Sequence, residues 1–132
     1  MSNFKFSFAR QYNTERLFDV DTEGLEYFEL QDIYSDDDEV FTIEAIYINT
    51  KGNFDDRPCL VANCDSMLAN GGESFRGYVN LPAHLTATCR DILRDKNAVA
   101  AINAGKVGFT IYRYFAKKYN DRECYSIRWV DI

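Results

Sequence analysis

The stretch from Gly105 to Ile132, GKVGFTIYRYFAKKYNDRECYSIRWVDI, constrains the fold more than any other part of the chain. Val107, Phe109, Ile111 and Phe115 fall on one face by period-two alternation, with Arg113 interrupting them, and Thr110, Tyr112 and Tyr114 fall on the other. Further on, Tyr125, Ile127 and Trp129 alternate with Cys124, Ser126, Arg128 and Val130. A period of two is the signature of a strand, because successive side chains leave a pleated backbone on opposite sides. Between the two runs, Ala116 to Arg122 contains Asn120-Asp121, residue types that tolerate tight turns. The chain therefore ends in an antiparallel hairpin. Its Phe109, Ile111, Ile127 and Trp129 side reads as core, which leaves Tyr112 and Tyr114 for the opposite side.

The hairpin is also an electrostatic exception. It carries six basic residues against three acidic ones, a net of +3, whereas the rest of the chain carries nine against eighteen, a net of -9. Between residues 15 and 44 there are twelve carboxylates and one base, Arg16, with the sharpest cluster at Asp36, Asp37, Asp38 and Glu39. That cluster lacks the alternating ligands and central glycine of a calcium loop and reads as a solvated turn.

Upstream of the hairpin, Phe4, Phe6 and Phe8 alternate as in a strand, and residues 14 to 34 suggest one or two short strands, or a strand and a turn. Val40 to Asn49 has apolar residues on both faces, as in a strand covered on both sides. Asn49 to Asn53 is a turn, and Phe54 to Arg57 a polar loop. Pro58 to Asn63 is a short strand that starts at proline, where the missing amide does least harm. Cys64 to Glu73 reads as a flexible connection around Asn70-Gly71-Gly72, and Ser74 to Leu81 as another strand. After Pro82 the period changes. Leu85, Cys89, Ile92 and Leu93 lie on one helical face, and Asp95 or Asn97 is placed to cap a second short helix that Gly105 would stop.

At 132 residues, with 46% hydrophobic and 27% charged content, the chain fits one domain, 1–132. Residues 1–34 would be an N-terminal extension. From Val40 onward the order is strand, strand, strand, helix, strand, strand. It fits a mainly β chain folded as an oligonucleotide/oligosaccharide-binding (OB-like) five-stranded Greek-key barrel over residues 40–132, with its helix between strands 3 and 4. No apolar leader and no apolar run long enough to span a bilayer is visible, so a cytoplasmic location with no membrane contact is expected. The cysteines Cys59, Cys64, Cys89 and Cys124 then read as small buried hydrophobes. A zinc set would have to join Cys59 and Cys64 to His84 or Cys89; no metal or other cofactor is expected. No catalytic motif such as GxSxG, HExxH, GxGxxG or a Walker loop occurs, and the chain reads as non-enzymatic.

Asn80 to Ile132 resembles the C-terminal half of small single-stranded-DNA-binding or replication-associated proteins of phages of Gram-positive bacteria, on the words AINAGKVGF and YSIRWVDI. The resemblance implies an OB-fold and a role in phage DNA replication, with single-stranded DNA or RNA as ligand and a replication or recombination protein as a further partner. The stretch ends in YSIRWVDI rather than in the acidic tail by which many such proteins recruit partners, so recruitment through a tail is not expected. On the residues themselves, single-strand binding needs cations that follow phosphates and aromatic faces on which bases stack. The candidates are Arg76, Tyr78, Lys106, Tyr112, Arg113, Tyr114, Lys117, Lys118, Tyr119, Arg122 and Arg128. The alternative is an acidic inhibitor or DNA mimic that meets a basic nuclease or replication protein through the carboxylates between Glu15 and Glu44. It requires those acids to form one continuous face. A third reading is an assembly component whose aromatic sheet edges join copies; a homodimer is compatible with all three.

Overall fold

The computed structural model describes residues 17–49 and 57–132; the expected Phe4–Phe8 strand and the turn at 50–53 lie outside them. Six strands form one sheet that curls into a half-barrel. They are β1 (Tyr27–Glu29), β2 (Phe41–Asn49), β3 (Arg57–Met67), β4 (Glu73–Asn80), β5 (Val107–Ala116) and β6 (Arg122–Asp131). Their order in space is β1-β4-β3-β2-β5-β6. Only the β1–β4 pair is parallel. The run β5-β2-β3-β4 is a Greek key: three meandering strands, and a fourth that returns by a long connection to lie beside the first.

That long connection is helical. Pro82 opens a single 3-10 turn, Ala83–Leu85, which leads into α2 (Thr86–Arg94), and α3 (Lys96–Asn103) follows. These are two helices rather than one bent helix, because Asp95 stands in an extended conformation between them. Its carboxylate accepts from the amides of Asn97 and Ala98 at 2.9 and 3.3 Å, which satisfies donors that a helix start leaves open. The apolar stripe of α2 buries Cys89 and packs Ile92 and Leu93 on the core. Gly105, at φ +73°, ends α3 where only glycine is comfortable. A one-turn helix, α1 (Leu30–Ile33), follows β1 directly and buries Leu30 and Ile33; the expectation for residues 14 to 34 contained no helix.

Three other expectations are corrected and one is refined. First, β3 starts at Arg57 and runs to Met67, so Cys64 to Met67 is strand rather than flexible connection. An irregularity in register between Cys64 and Met67 carries the strand on and buries Met67 against the core. Second, β2 is covered on both sides for part of its length, as its pattern implies, and it also carries an unexpected bulge. Glu44 is skipped between the pairs Ile43–Ala62 and Ala45–Val61; beyond it the neighbours Ala45 and Ile46, on opposite faces, are both buried, while Tyr47 is exposed. Third, Phe115 is not core: it is 60% exposed near the hairpin tip, beyond the reach of β2. Fourth, Trp129 is only partly buried, packed against the core rather than within it.

The hairpin joins the rest of the sheet through the short register Phe41–Phe109 and Thr42–Gly108. Phe41 and Phe109 stack there at 5.2 Å, both buried. Gly108 permits the approach: a Cβ at this position would lie 2.4 Å from the Phe41 carbonyl oxygen. Gly77 performs the same service on β4, where a Cβ would meet the Phe28 ring at 2.7 Å. Among the described residues, no helix is long and apolar enough to cross a membrane.

Candidate nucleic-acid interface

Strand parity sorts the hairpin side chains. The register pairs Ile111 with Ile127 and Phe109 with Trp129 on the core face, and Tyr112 with Ser126 and Tyr114 with Cys124 on the outer face. Tyr112 and Tyr114 are half-buried, with ring centres 5.8 Å apart and planes inclined by 38°. The Arg128 guanidinium lies 4.4 Å above the Tyr112 ring, within cation–π range. Five residues link the strands: a 3-10 turn, Lys117–Tyr119, then Asn120 and Asp121, both left-handed at φ 59° and 58°. This puts exposed Lys117, Lys118 and Arg122 at the tip, next to the outer aromatic row. The Tyr119 side chain lies outside the described residues.

Other candidates fall elsewhere. Arg113 is on the core-side face and is engaged there, 3.7 Å from Glu123 and 5.8 Å from the Tyr34 ring centre. Tyr34 also packs edge-on against Tyr125 and donates its hydroxyl to Asp37 at 2.6 Å. That carboxylate bond raises the Tyr34 hydroxyl above its ordinary pKa, and Glu123 does the same to Tyr125. Lys106 is exposed just before β5, at the opposite end of the hairpin from Lys117. Arg76 is held on β4 by the Glu44 carboxylate at 2.9 Å and by the Asp21 carbonyl at 2.7 Å. Those bonds from Arg76 hold the Glu44 carboxyl below the usual range, and Asn63 adds to the effect. Tyr78 stacks on Tyr27 at 4.5 Å with only 11° between planes, and lies 6.5 Å from Tyr47. Tyr27 is 63% exposed, so β1 and β4 present a second aromatic face, separate from the hairpin.

Sequence reasoning passed over a group of residues at the seam where the sheet stays open. An open cleft of about 340 Å³ lies between the β1–β4 edge and the hairpin. Glu29, Arg57 and Asn80 line one side, and Tyr114, Arg122 and Cys124 the other. Arg57 donates through Nε to the Leu81 carbonyl and through Nη2 to Glu29, each at 2.7 Å. Asn80 donates to the second Glu29 oxygen at 2.8 Å. No local signal marks these three residues. The parallel register Glu29–Asn80 and the antiparallel register Cys59–Asn80 bring them together. His84 lies 3.4 Å from Ser126, so the turn after β4 rests against the middle of the outer hairpin face.

Several carboxylates of the acidic segment are engaged with the protein's own donors. Asp36 accepts from the amides of Asp38 and Glu39, closing their own turn, and Asp32 accepts from the Glu29 amide. Glu39 accepts from the Leu68 amide, Glu29 binds Arg57 and Glu44 binds Arg76. Each acts where it stands. Burial pushes the Cys59 thiol up to about 12 and the Cys89 thiol up to about 11, values that suit packing rather than nucleophilic chemistry. Among the described residues no group of three or more histidine, cysteine or carboxylate side chains could hold a metal ion. No family model matches this chain, and neither does any curated protein or solved structure.

Proposed function

We propose that this protein binds single-stranded nucleic acid without catalysis, on an OB-like barrel, in the cytoplasm, as part of phage-type DNA replication. The observation that carries the reading is the outer face of the terminal hairpin, where Tyr112 and Tyr114 form a row, Arg128 covers Tyr112, and Lys117, Lys118 and Arg122 cluster at the tip. Stacking faces beside phosphate-range cations are what sequence-tolerant single-strand binding uses. Three features support the barrel type: the Greek-key order, the helices between β4 and β5, and a sheet that curls but stays open between its β1 and β6 edges. The resemblance drawn on AINAGKVGF and YSIRWVDI points to the same ligand. The net charge of -6 argues against strong non-specific binding, but a local patch governs encounter with phosphates more than the total does. The DNA-mimic alternative has less to draw on, since several of the carboxylates it needs already serve in caps, turns and ion pairs.

The test is fluorescence anisotropy of a labelled single-stranded oligonucleotide at low salt, with duplex of equal length as comparison. Binding should be salt-sensitive, prefer the single strand, and weaken in Lys117→Ala/Lys118→Ala and in Tyr112→Ala. Absence of binding at low salt, or binding indifferent to salt, refutes the reading.

A further inference from the structure

The cleft at the seam differs from the hairpin face in its chemistry. We propose that it is a slot for one nucleobase of the bound strand, with Tyr114 as its stacking wall and Asn80 and Arg57 reading the base edge. This rests on the single-strand reading above and adds base discrimination to it. The volume of about 340 Å³ is at the small end of ligand pockets, which suits one base with its sugar rather than an extended segment. Tyr114 belongs both to the outer aromatic row and to the cleft lining, so a strand that stacks on Tyr112 is led to the opening. Leu30 and Pro82 supply apolar surface inside.

The polar wall is fixed before any ligand arrives. Glu29 takes the amide donor of Asn80, which leaves the Asn80 carbonyl oxygen as an acceptor. Glu29 and the Leu81 carbonyl take Nη2 and Nε of Arg57, which leaves the Nη1 hydrogens as donors. An oriented acceptor beside an oriented donor is what a base edge presents in complement. Such groups are left unpaired when the wrong edge enters, whereas a stacking face accepts every base. The hairpin therefore supplies affinity and the cleft supplies preference.

The experiment compares affinities for oligo(dT), oligo(dC) and oligo(dA) of one length at one salt concentration. The variants are Asn80→Ala, Cys124→Trp and Lys117→Ala/Lys118→Ala, each checked for an unchanged cooperative melt. Asn80→Ala removes the acceptor, while Cys124→Trp fills the cleft from the hairpin side and leaves the Glu29 network in place, so the failure of one variant to fold does not spoil the test. The wild type should separate best from worst strand by about tenfold or more. Both cleft variants should bring that ratio to within about twofold. The lysine variant should weaken all three strands by a common factor and keep the ratio. Strands that bind with a ratio unchanged in both cleft variants overturn the slot and leave the hairpin reading standing. Strands that do not bind at all overturn both.

Discussion

Removing the tip lysines should change how steeply binding depends on salt, and the size of the change follows from which cations face the bound strand. On the outer hairpin face these are Lys117, Lys118, Arg122 and Arg128; Arg113 faces the other way, towards Glu123. Each phosphate neutralised on a single strand contributes about -0.7 to the slope of log affinity against log salt, so engaging all of them gives about -2.8. From roughly 50 to 200 mM salt the wild type should then lose about 50-fold in affinity, and Lys117→Ala/Lys118→Ala, with half the slope, about sevenfold. Tyr112→Ala probes the other component. It removes a stacking face worth about 1–3 kcal/mol per base, and should lower affinity by about fivefold to 150-fold while the slope stays near that of the parent. The assay is anisotropy at five or six salt concentrations for each protein. Equal slopes in the wild type and the double lysine variant would refute the placement of phosphate at the tip. A Tyr112→Ala slope that falls by as much as that of the lysine variant would refute the division of labour.

Other consequences bear on the fold. Gly108→Ala should cost about 2 kcal/mol or more, seen as a lower midpoint in chemical denaturation, because the added carbon meets backbone at 2.4 Å where the hairpin joins β2. Asp121→Gly should raise the melting temperature, since glycine suits the second left-handed position of the turn, and should also strengthen oligonucleotide binding by removing a carboxylate beside the tip cations. Arg76→Ala should cost about 1 kcal/mol near neutral pH, discounted for its partial exposure. The Glu44 carboxyl is depressed in the folded protein, so its contribution is present above the ordinary carboxylate range and fades as pH falls through the lowered value; the gap between wild type and Arg76→Ala should close in acid. Cys59 and Cys89 should resist an aqueous thiol reagent at neutral pH until denaturant is added, as measured by timed labelling and peptide mass.

The sequence was most legible where one local rule decided the outcome. Period-two alternation located β2, β4 and both hairpin strands to within a residue or two, and of the two caps expected for the second helix, Asp95 or Asn97, the fold uses Asp95. It was least legible where a residue's role is settled by a partner far along the chain. The bulge at Glu44 left no mark in the alternation of β2, and only the register with β3 reveals it. Phe115 alternates perfectly with Phe109 and Ile111, yet it is exposed, because β2 pairs with β5 only at Phe109 and Gly108 and the hairpin runs on past it. Arg57 looked like a loop residue before a proline. Its importance comes from Glu29 and the Leu81 carbonyl, neither of which is near it in sequence. Arg76 and Tyr78 had the right chemistry for the candidate surface, but they stand on β4, and their partners are Glu44 and Tyr27.

Charge makes the same point. Counted along the chain, an excess of carboxylates in the first half predicts a basic partner. The folded protein uses many of those carboxylates on its own amides and arginines: Asp32 on Glu29, Asp36 on the following turn, Glu29 on Arg57, Glu39 on Leu68 and Glu44 on Arg76. An anion already bonded to a fixed donor has less field to offer a visitor than one standing free. The cations at the hairpin tip are spent differently: Lys117 and Arg122 have no carboxylate within ion-pair distance among the described residues, and Arg128 faces an aromatic ring rather than an acid. What a charged surface attracts depends on which charges folding leaves unsatisfied, and on this chain the larger unsatisfied share at the hairpin is positive. An acidic protein of this build can therefore meet phosphate at one end without a basic total.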